Sequence, residues 1–480
     1  MLSSWVVDEM KTVDLHDKRL DQRLRIVLAQ LAEHPTASIP AACGGHAEMA
    51  AAYRLFDNDK ATFHKILEAH SDATRQRIAA QEVVVLAQDT TELDLTRPEQ
   101  QVLGTVPLDS GSRVGALLHL THTFTRDGTP LGTLDAVAWA REEGSKCAAL
   151  SRAERAATPL AEKESCRWVK ALQQAQQVAQ DFPTTRFICV ADSEADIYEW
   201  FVAGAVEATS VDWVVRAAQD RALRGETQAH LREHLASGKV LFTQAIHVRG
   251  RKAKVSCEKR GRRQPRESRE AEVEVRAARV VLRPPWRPHN KLPEVAINAV
   301  LVYEPSPPAS DVAVEWLLLT TLPIDQPEQV RQVIQTYCVR WMIEVFFRVL
   351  KTGCRIEERR FEHIDRVLTC LAVYLIVAWR TLYVCRLGRS CPNIRCDAVF
   401  EPAEWKAVWK IVRGEDPPAD PPPLAAMVRM VAQLGGYVNR KRPDPPGPQT
   451  LWIGLQRMHD FALCWKMFGP ETTKQQLELV

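Results

Sequence analysis

The sequence predicts a mixed α/β protein with helical segments at both ends, on three observations. The runs Val83 to Asp89 (VVVLAQD) and Phe187 to Asp192 (FICVAD) are short, apolar and end on an acid, as buried strands of an α/β sheet do, with a helical period from Glu162 to Phe182 between them. Between Ala217 and Trp316 strand-like runs follow one another, which marks a β-rich insertion over residues 218–312. The two ends of the chain return to helical periodicity. These shifts divide the chain into a helical N-terminal domain (1–70), an α/β domain (71–390) and a helical C-terminal domain (391–480), and 480 residues suffice for two or three such domains.

In the first domain Leu20, Leu24, Val27, Leu28 and Leu31 fall at helical spacing with Arg19, Arg23 and Arg25 around them. A second helix, His46 to Phe56 (HAEMAAAYRLF), carries Tyr53 and Arg54. Arginines on a small helical domain suit DNA phosphates, although such residues are more often simply solvated. Val114 to Phe124 and Pro130 to Trp139 read as strands joined by the turn Arg126-Asp127-Gly128, Glu194 to Phe201 as a helix, and Val211 to Ala217 as a strand. The insertion supplies strands at Val240 to Val248, Lys252 to Cys257, Ala271 to Leu282 and Val295 to Tyr303, and Trp316 to Thr321 adds one more. A long helix runs from Pro327 through Lys351. In the tail DPPADPPP (Asp416 to Pro423) is a stiff linker, Leu424 to Leu434 is a helix ended by Gly435-Gly436, and Trp452 to Phe468 sets Trp452, Leu455, Met458, Phe461 and Trp465 on one apolar side that must pack on the main domain or a second subunit.

A net charge of +3 does not announce a nucleic-acid partner, but Arg249 to Arg269 holds ten Lys or Arg against two Glu. Val367 to Trp379 is too short for a membrane span and is bounded by Arg366 and Arg380, so it is expected to be a buried helix. The start MLSSWVVDEM lacks the apolar stretch of a secretion signal, which leads to the expectation of a cytoplasmic protein without a membrane partner. Cys385, Cys391 and Cys396 cluster without the spacing of a zinc site and are expected to be free thiols.

The chemistry concentrates in YCVRWMIEVFFRVLK, Tyr337 to Lys351. On a helix, Tyr337, Arg340, Glu344, Arg348 and Lys351 share a sector about 80° wide, with Val339, Met342, Ile343, Phe346, Val349 and Leu350 opposite. One carboxylate among cations and a phenol suits a divalent ion beside a phosphate backbone; the same pattern also fits a solvated face with an Arg–Glu pair. Asp89 and Asp192, at the ends of apolar strands, are the other candidate acids, although an Asp there also serves as a cap or turn former.

With these residues assembled, the chain resembles the hairpin-forming, cut-and-paste DDE transposases of the bacterial insertion-sequence-four family. Tyr337, Arg340, Glu344 and Lys351 fill the motif Y-x2-R-x3-E-x6-K, QDTTELD around Asp89 and ADSEADIYEW around Asp192 are similar to the two aspartate motifs, and WLLLT begins at Trp316. HAEMAAAYRLFDN resembles the family's end-binding domain, and LGGYVNRKRPDPPGPQTLWIGLQRMHDF its dimerisation region, so the likeness spans nearly the full length. The chain departs where Ser193 replaces the basic residue that usually follows the second aspartate.

The resemblance implies a ribonuclease-H-like catalytic core in which Asp89, Asp192 and Glu344 hold two Mg²⁺, with Mn²⁺ able to substitute. It also implies that Tyr337, Arg340, Lys351, Arg348, Tyr53 and Arg54 contact DNA, that Trp316 stacks on an extruded base, and that a homodimer holds two double-stranded transposon ends in a synaptic complex. Asp196, Glu92 and Asp94 are near neighbours of the motif acids, and Asp196 is expected to cap or orient rather than bind metal. The activity implied is nicking, excision through a hairpin and joining of the 3′-OH ends to target DNA. A catalytically silent DNA-binding regulator, free to lose the acids, and a plain ribonuclease-H-like nuclease are the alternatives.

Overall fold

The computed structural model describes residues 2–470 apart from 98, 109–111, 141–153, 155–156, 206–210, 226–229, 249, 251–266, 289–290, 310 and 439–443. The chain forms two compact units, Met1–Ser145 with Trp341–Val480, and Lys146–Arg340.

The first unit begins with helices α1 (Ser4–Glu9), α2 (Lys18–Glu33), α3 (Ile39–Ala42), α4 (His46–Phe56) and α5 (Phe63–Ile78). Asp17 caps α2 by accepting from the Arg19 N–H at 2.9 Å, and Thr62 caps α5 through the Lys65 N–H at 3.3 Å. Strands β1 (Val83–Asp94), β2 (Val106–Pro107), β3 (Val114–Phe124) and β4 (Pro130–Trp139) follow. β3 is flanked by β1 and β4, both antiparallel to it, and Gly128 takes the left-handed conformation (φ 81°) that the turn before β4 requires. The expectation that the first strand stops at Asp89 is corrected: β1 runs five residues further, because β3 continues to offer ladder partners from Leu120 down to Gly115. Only the burial changes at Asp89, from a fully buried run to half-buried side chains.

The second unit comprises α6 (Cys166–Gln180), β5 (Arg186–Ala191), a 3-10 turn (Ser193–Ala195), α7 (Tyr198–Gly204), β6 (Val211–Arg216), α8 (Leu231–Ser237), β7 (Phe242–Val248), β8 (Arg269–Leu282), β9 (Val295–Tyr303), β10 (Glu315–Thr320) and α9 (Pro327–Val339). Its strands lie in the order β5-β6-β10-β9-β8-β7, with β5 parallel to β6 and the rest antiparallel. Trp200, Trp213 and Phe201 fill the core over β6, the last two rings stacked 5.4 Å apart. The helix expected from Glu194 is broken: the side chain of Asp196 is pulled inward by other partners, and α7 starts only at Tyr198. The strand expected at Lys252 to Cys257 and most of the basic stretch lie outside the described residues.

The first unit resumes with α10 (Trp341–Arg348), a π turn (Val349–Gly353), a 3-10 turn (Ile356–Glu358), α11 (Ile364–Ser390), α12 (Pro402–Arg413), α13 (Leu424–Leu434) and α14 (Pro448–Phe468). α11 has the length and apolarity of a membrane span, but 83% of its apolar window is buried inside the protein, as expected for a core helix. α13 and α14 touch backbone to backbone: a Cβ on Gly454 would lie 1.9 Å from the Val431 carbonyl oxygen, so this approach tolerates no side chain. Cys385, Cys391 and Cys396 are free thiols, the first and last buried.

Candidate active site

Two of the three candidate acids, Asp89 and Glu344, belong to the first unit. Asp89 sits mid-strand in β1, opposite Leu120 of β3, and its Oδ1 accepts from the Thr90 N–H at 2.8 Å. Strand alternation puts it on the same face as Ala87, Leu120 and His122. On that face the His122 ring packs 4.3 Å from Phe346 of α10, two residues beyond Glu344. On the opposite face the Thr90 hydroxyl meets the Nδ1 of His119 at 2.9 Å. Asp89 is thus carried by β1 and Glu344 by α10, and α10 packs through Phe346 on His122 of β3, the ladder neighbour of β1. Both acids are half-buried.

The continuous helix expected from Tyr337 to Lys351 is corrected at two points. At Arg340 the backbone stays helical (φ −48°, ψ −37°) but its N–H bonds Tyr337 three residues back, which separates α9 from α10. Beyond Arg348 a π turn takes over, with the Cys354 N–H bonding the Val349 carbonyl at 2.8 Å. The apolar face holds, since Val339, Ile343, Phe346, Val349 and Leu350 are all buried and only Met342 is partly open. The wider winding of the π turn moves Lys351 off the expected stripe. Its ammonium donates to the Glu92 carbonyl at the end of β1 and pairs with Glu357 at 3.3 Å. Arg348 remains exposed, and so does Trp341 (49%), at one end of the stripe that holds Glu344. Sequence reading missed Trp341, although its place on the helical wheel, beside Tyr337 and Arg348, was available as a signal.

Asp192 belongs to the second unit. It follows the last residue of β5 and caps the 3-10 turn, its Oδ1 accepting from the Glu194 N–H at 2.8 Å. Asp196, four residues on, is buried and accepts from the N–H groups of Ala218 and Gln219 at 2.7 and 2.8 Å and from Arg221 Nε at 2.8 Å. It pins the turn to the segment leaving β6, an orienting role. Trp316, half-buried on β10, lies 6.4 Å from the Tyr337 ring, and the Arg340 guanidinium covers that ring from 5.9 Å. Tyr337 is therefore buried where the helical wheel had it facing solvent. Burial pushes its phenol up, Arg340 and Arg216 pull it back, and Asp192 adds to the rise, which sets Tyr337, Arg340 and Asp192 in one electrostatic neighbourhood.

The remaining two candidates lie on α4. Arg54 is exposed, while Tyr53 packs edge-on against Phe361 at 5.8 Å.

The description "Transposase DDE domain" matches residues 157–379, "Transposase DNA-binding" residues 2–61, and "Transposase Tn5 dimerisation domain" residues 376–466. The chain belongs to the Tn5-like DDE transposases. Asp192, Trp316, Tyr337, Arg340, Glu344 and Lys351 fall inside the matched DDE domain and Asp89 lies before it. Among solved structures the chain is similar to a piggyBac transposase synaptic complex with hairpin DNA, at 10% identity and a TM-score of 0.36, over 98% of this chain and 79% of that one. The transposase is a metal-dependent, DNA-cleaving enzyme that binds DNA and dimerises.

Divalent metal fits the donor chemistry of the candidate acids, since carboxylate oxygens are the hard ligands such ions take. Among the described residues no three His, Cys, Asp or Glu side chains are drawn together as a ready-made cage.

Proposed function

We propose that this transposase binds the inverted ends of a transposon, nicks them, excises the element through a hairpin and joins its 3′-OH ends to target DNA. The observation that carries the reading is the Y-R-E-K motif: Tyr337, Arg340, Glu344 and Lys351 occur at the family's spacing inside the matched DDE domain, and both partner domains are present. Asp89, Asp192 and Glu344 are the proposed ligands of two Mg²⁺, replaceable by Mn²⁺. Bound ions supply charge neutralisation for the attacking and leaving oxygens of an in-line displacement at phosphorus.

The chain's own residues orient the DNA. Arg340 and Arg348 neutralise phosphate oxygens, and Lys351 does the same once DNA competes for its charge. Arg54 and Tyr53 contact the end through the DNA-binding domain. In the first step water adds to phosphorus, the P–O3′ bond breaks and the freed 3′ oxygen leaves as a hydroxyl. That hydroxyl then attacks phosphorus in the opposite strand and expels that strand's 3′ oxygen, closing a hairpin, which water reopens to free the 3′-OH that attacks target DNA. Trp316 offers a half-exposed aromatic face on which an extruded base can stack while the hairpin bends. Two copies, held through the C-terminal domains, bring two ends together, and the reaction belongs in the bacterial cytoplasm at the nucleoid.

The test is incubation of end-labelled DNA carrying the sequence that flanks this gene with protein and Mg²⁺, followed by a denaturing gel, with Asp89→Ala as control. A nick followed by a hairpin, both absent in the control, is the expected result. Binding without cleavage overturns the reading in favour of a regulator, and nicks without hairpins in favour of a plain nuclease.

A further inference from the structure

We propose that Arg359 is a positioning residue for the reaction, tying the DNA-binding domain to the end of the helix that carries Glu344. It rests on the reading that Asp89 and Glu344 serve catalysis. Arg359 is only 4% exposed, and its guanidinium donates to three main-chain carbonyls: Pro35 at 2.5 Å, Ala37 and Cys354. Pro35 and Ala37 lie between α2 and α3, inside the residues matched as DNA-binding. Cys354 closes the π turn that continues α10, where its N–H bonds the Val349 carbonyl. The guanidinium also lies 4.6 Å over the fully buried Tyr374 ring of α11, which fixes its plane. Among the described residues its hydrogen-bond partners are carbonyls and no carboxylate neutralises it. Burying a cation in this way is costly, so the connection it makes needs an explanation.

The neighbouring residues extend the connection in two directions. Phe361 inserts its ring edge-on between Tyr53 and Phe56 of α4, at 5.8 and 5.7 Å, and Arg366 pairs with Asp57 at 2.5 Å. Towards the strand that carries Asp89, Glu357 accepts the Asp94 N–H at 3.0 Å and pairs with Lys351, while Arg97 donates to the Arg359 carbonyl. One short stretch, residues 351–361, therefore touches the DNA-binding domain, the Asp89 strand and the Glu344 helix. Arg359 is the member that holds the first and the last with one rigid group. A lysine keeps the charge but is a single point on a flexible stem and cannot span the three carbonyls.

The experiment compares the full-length wild type with Arg359→Lys on transposon-end DNA. Binding is measured by fluorescence anisotropy in EDTA. Hydrogen exchange of peptides spanning 341–353 is followed with and without DNA, also in EDTA. Single-turnover nicking of fully bound DNA is then timed across a Mg²⁺ titration. Arg359→Lys is expected to bind DNA within about threefold of wild type, lose DNA-dependent protection of 341–353, nick bound DNA at least about tenfold more slowly and need more Mg²⁺. Unchanged protection together with unchanged nicking per bound complex overturns the proposal, and so does loss of binding and nicking in equal proportion, which is the mark of a merely structural anchor. If Arg359→Lys does not fold, the wild type decides: absence of DNA-dependent protection of 341–353 overturns the proposal, because the tie must carry DNA binding to that helix. Normal nicking by Glu344→Gln sinks the underlying catalytic reading instead, and the exchange measurement still tests the link.

Discussion

Asp89 and Glu344 are held by regular secondary structure, whereas Asp192 is held by a turn with a brace of its own. A strand residue inherits its position from the ladder on both sides, and β1 is paired through Asp89 and for five residues past it. A helix residue inherits its position from the face that packs, and Phe346 against His122 supplies that packing. Asp192 has neither, since β5 ends one residue earlier. Its turn is instead anchored by Asp196, whose carboxylate gathers two backbone N–H groups and the Arg221 guanidinium. An acid on a turn has no neighbouring ladder to correct it, so the nearest buried charge takes over that task.

The largest test of this contrast removes the acids themselves. Glu344→Gln and Asp192→Asn should each lower nicking at least about 10³-fold, about 4 kcal/mol in barrier, while end binding persists in a mobility shift. Cleavage near wild-type rates by either variant would remove that residue from the catalytic set.

The next test removes the brace. Asp196→Ala leaves the buried Arg221 charge and two N–H groups without their acceptor and should cost about 3–5 kcal/mol in urea unfolding. The polar cluster at Thr90 on the Asp89 side is less demanding: Thr90→Val should cost about 1 kcal/mol. Equal losses would show that the two acids are held in the same way.

A smaller effect is expected at the aromatic next to Tyr337. Trp316→Ala should slow hairpin formation about tenfold or more while slowing the first nick much less, given about 1–3 kcal/mol per stacked base, read on the same gel time course. Equal slowing of both steps would reject stacking.

The smallest effect is a pH response to which two buried histidines of the first unit contribute. His70 and His122 are fully buried, and burial holds both below the ordinary histidine range. His70 accepts the Thr133 N–H on Nε2 at 3.0 Å and faces Glu9 with Nδ1 at 2.5 Å, as a neutral ring does, and the His122 Nδ1 meets the Thr133 hydroxyl at 3.0 Å. The unfolded chain takes up these protons as pH falls below about 6.5, while the folded protein does not. Stability should therefore be level above that pH and decline below it, and His122→Leu should flatten the decline in part, measured as urea midpoints between pH 7.5 and 5.5. A decline unaltered by His122→Leu would assign the response to other groups.

Much of this protein was determined by its sequence alone, because the deciding signals are local. The bounds of β3, β4, β9, α4 and α13 follow from periodicity and punctuation, as at Gly435-Gly436. The buried character of Val367 to Trp379 is expected from its flanking arginines, although α11 as a whole has the length of a membrane span and only its burial in the fold shows it to be a core helix. The motif residues are legible because their chemistry depends on spacing, and spacing is written in the chain.

What the sequence could not contain are features set by partners far away in it. β1 passes Asp89 because β3 keeps pairing, and no signal within residues 83–94 reports that. Tyr337 is buried because Trp316 and Arg340 cover it, so a wheel drawn on one helix could not foresee it. Lys351 leaves its stripe because the π turn changes the winding and Glu92 and Glu357 stand ready to receive it. Arg359 is one charged residue in a loop until tertiary contacts surround it with carbonyls from residues 35, 37 and 354. Local periodicity chose the elements; the ladder partners, ring contacts and buried charges that position the acids exist only once the chain has folded.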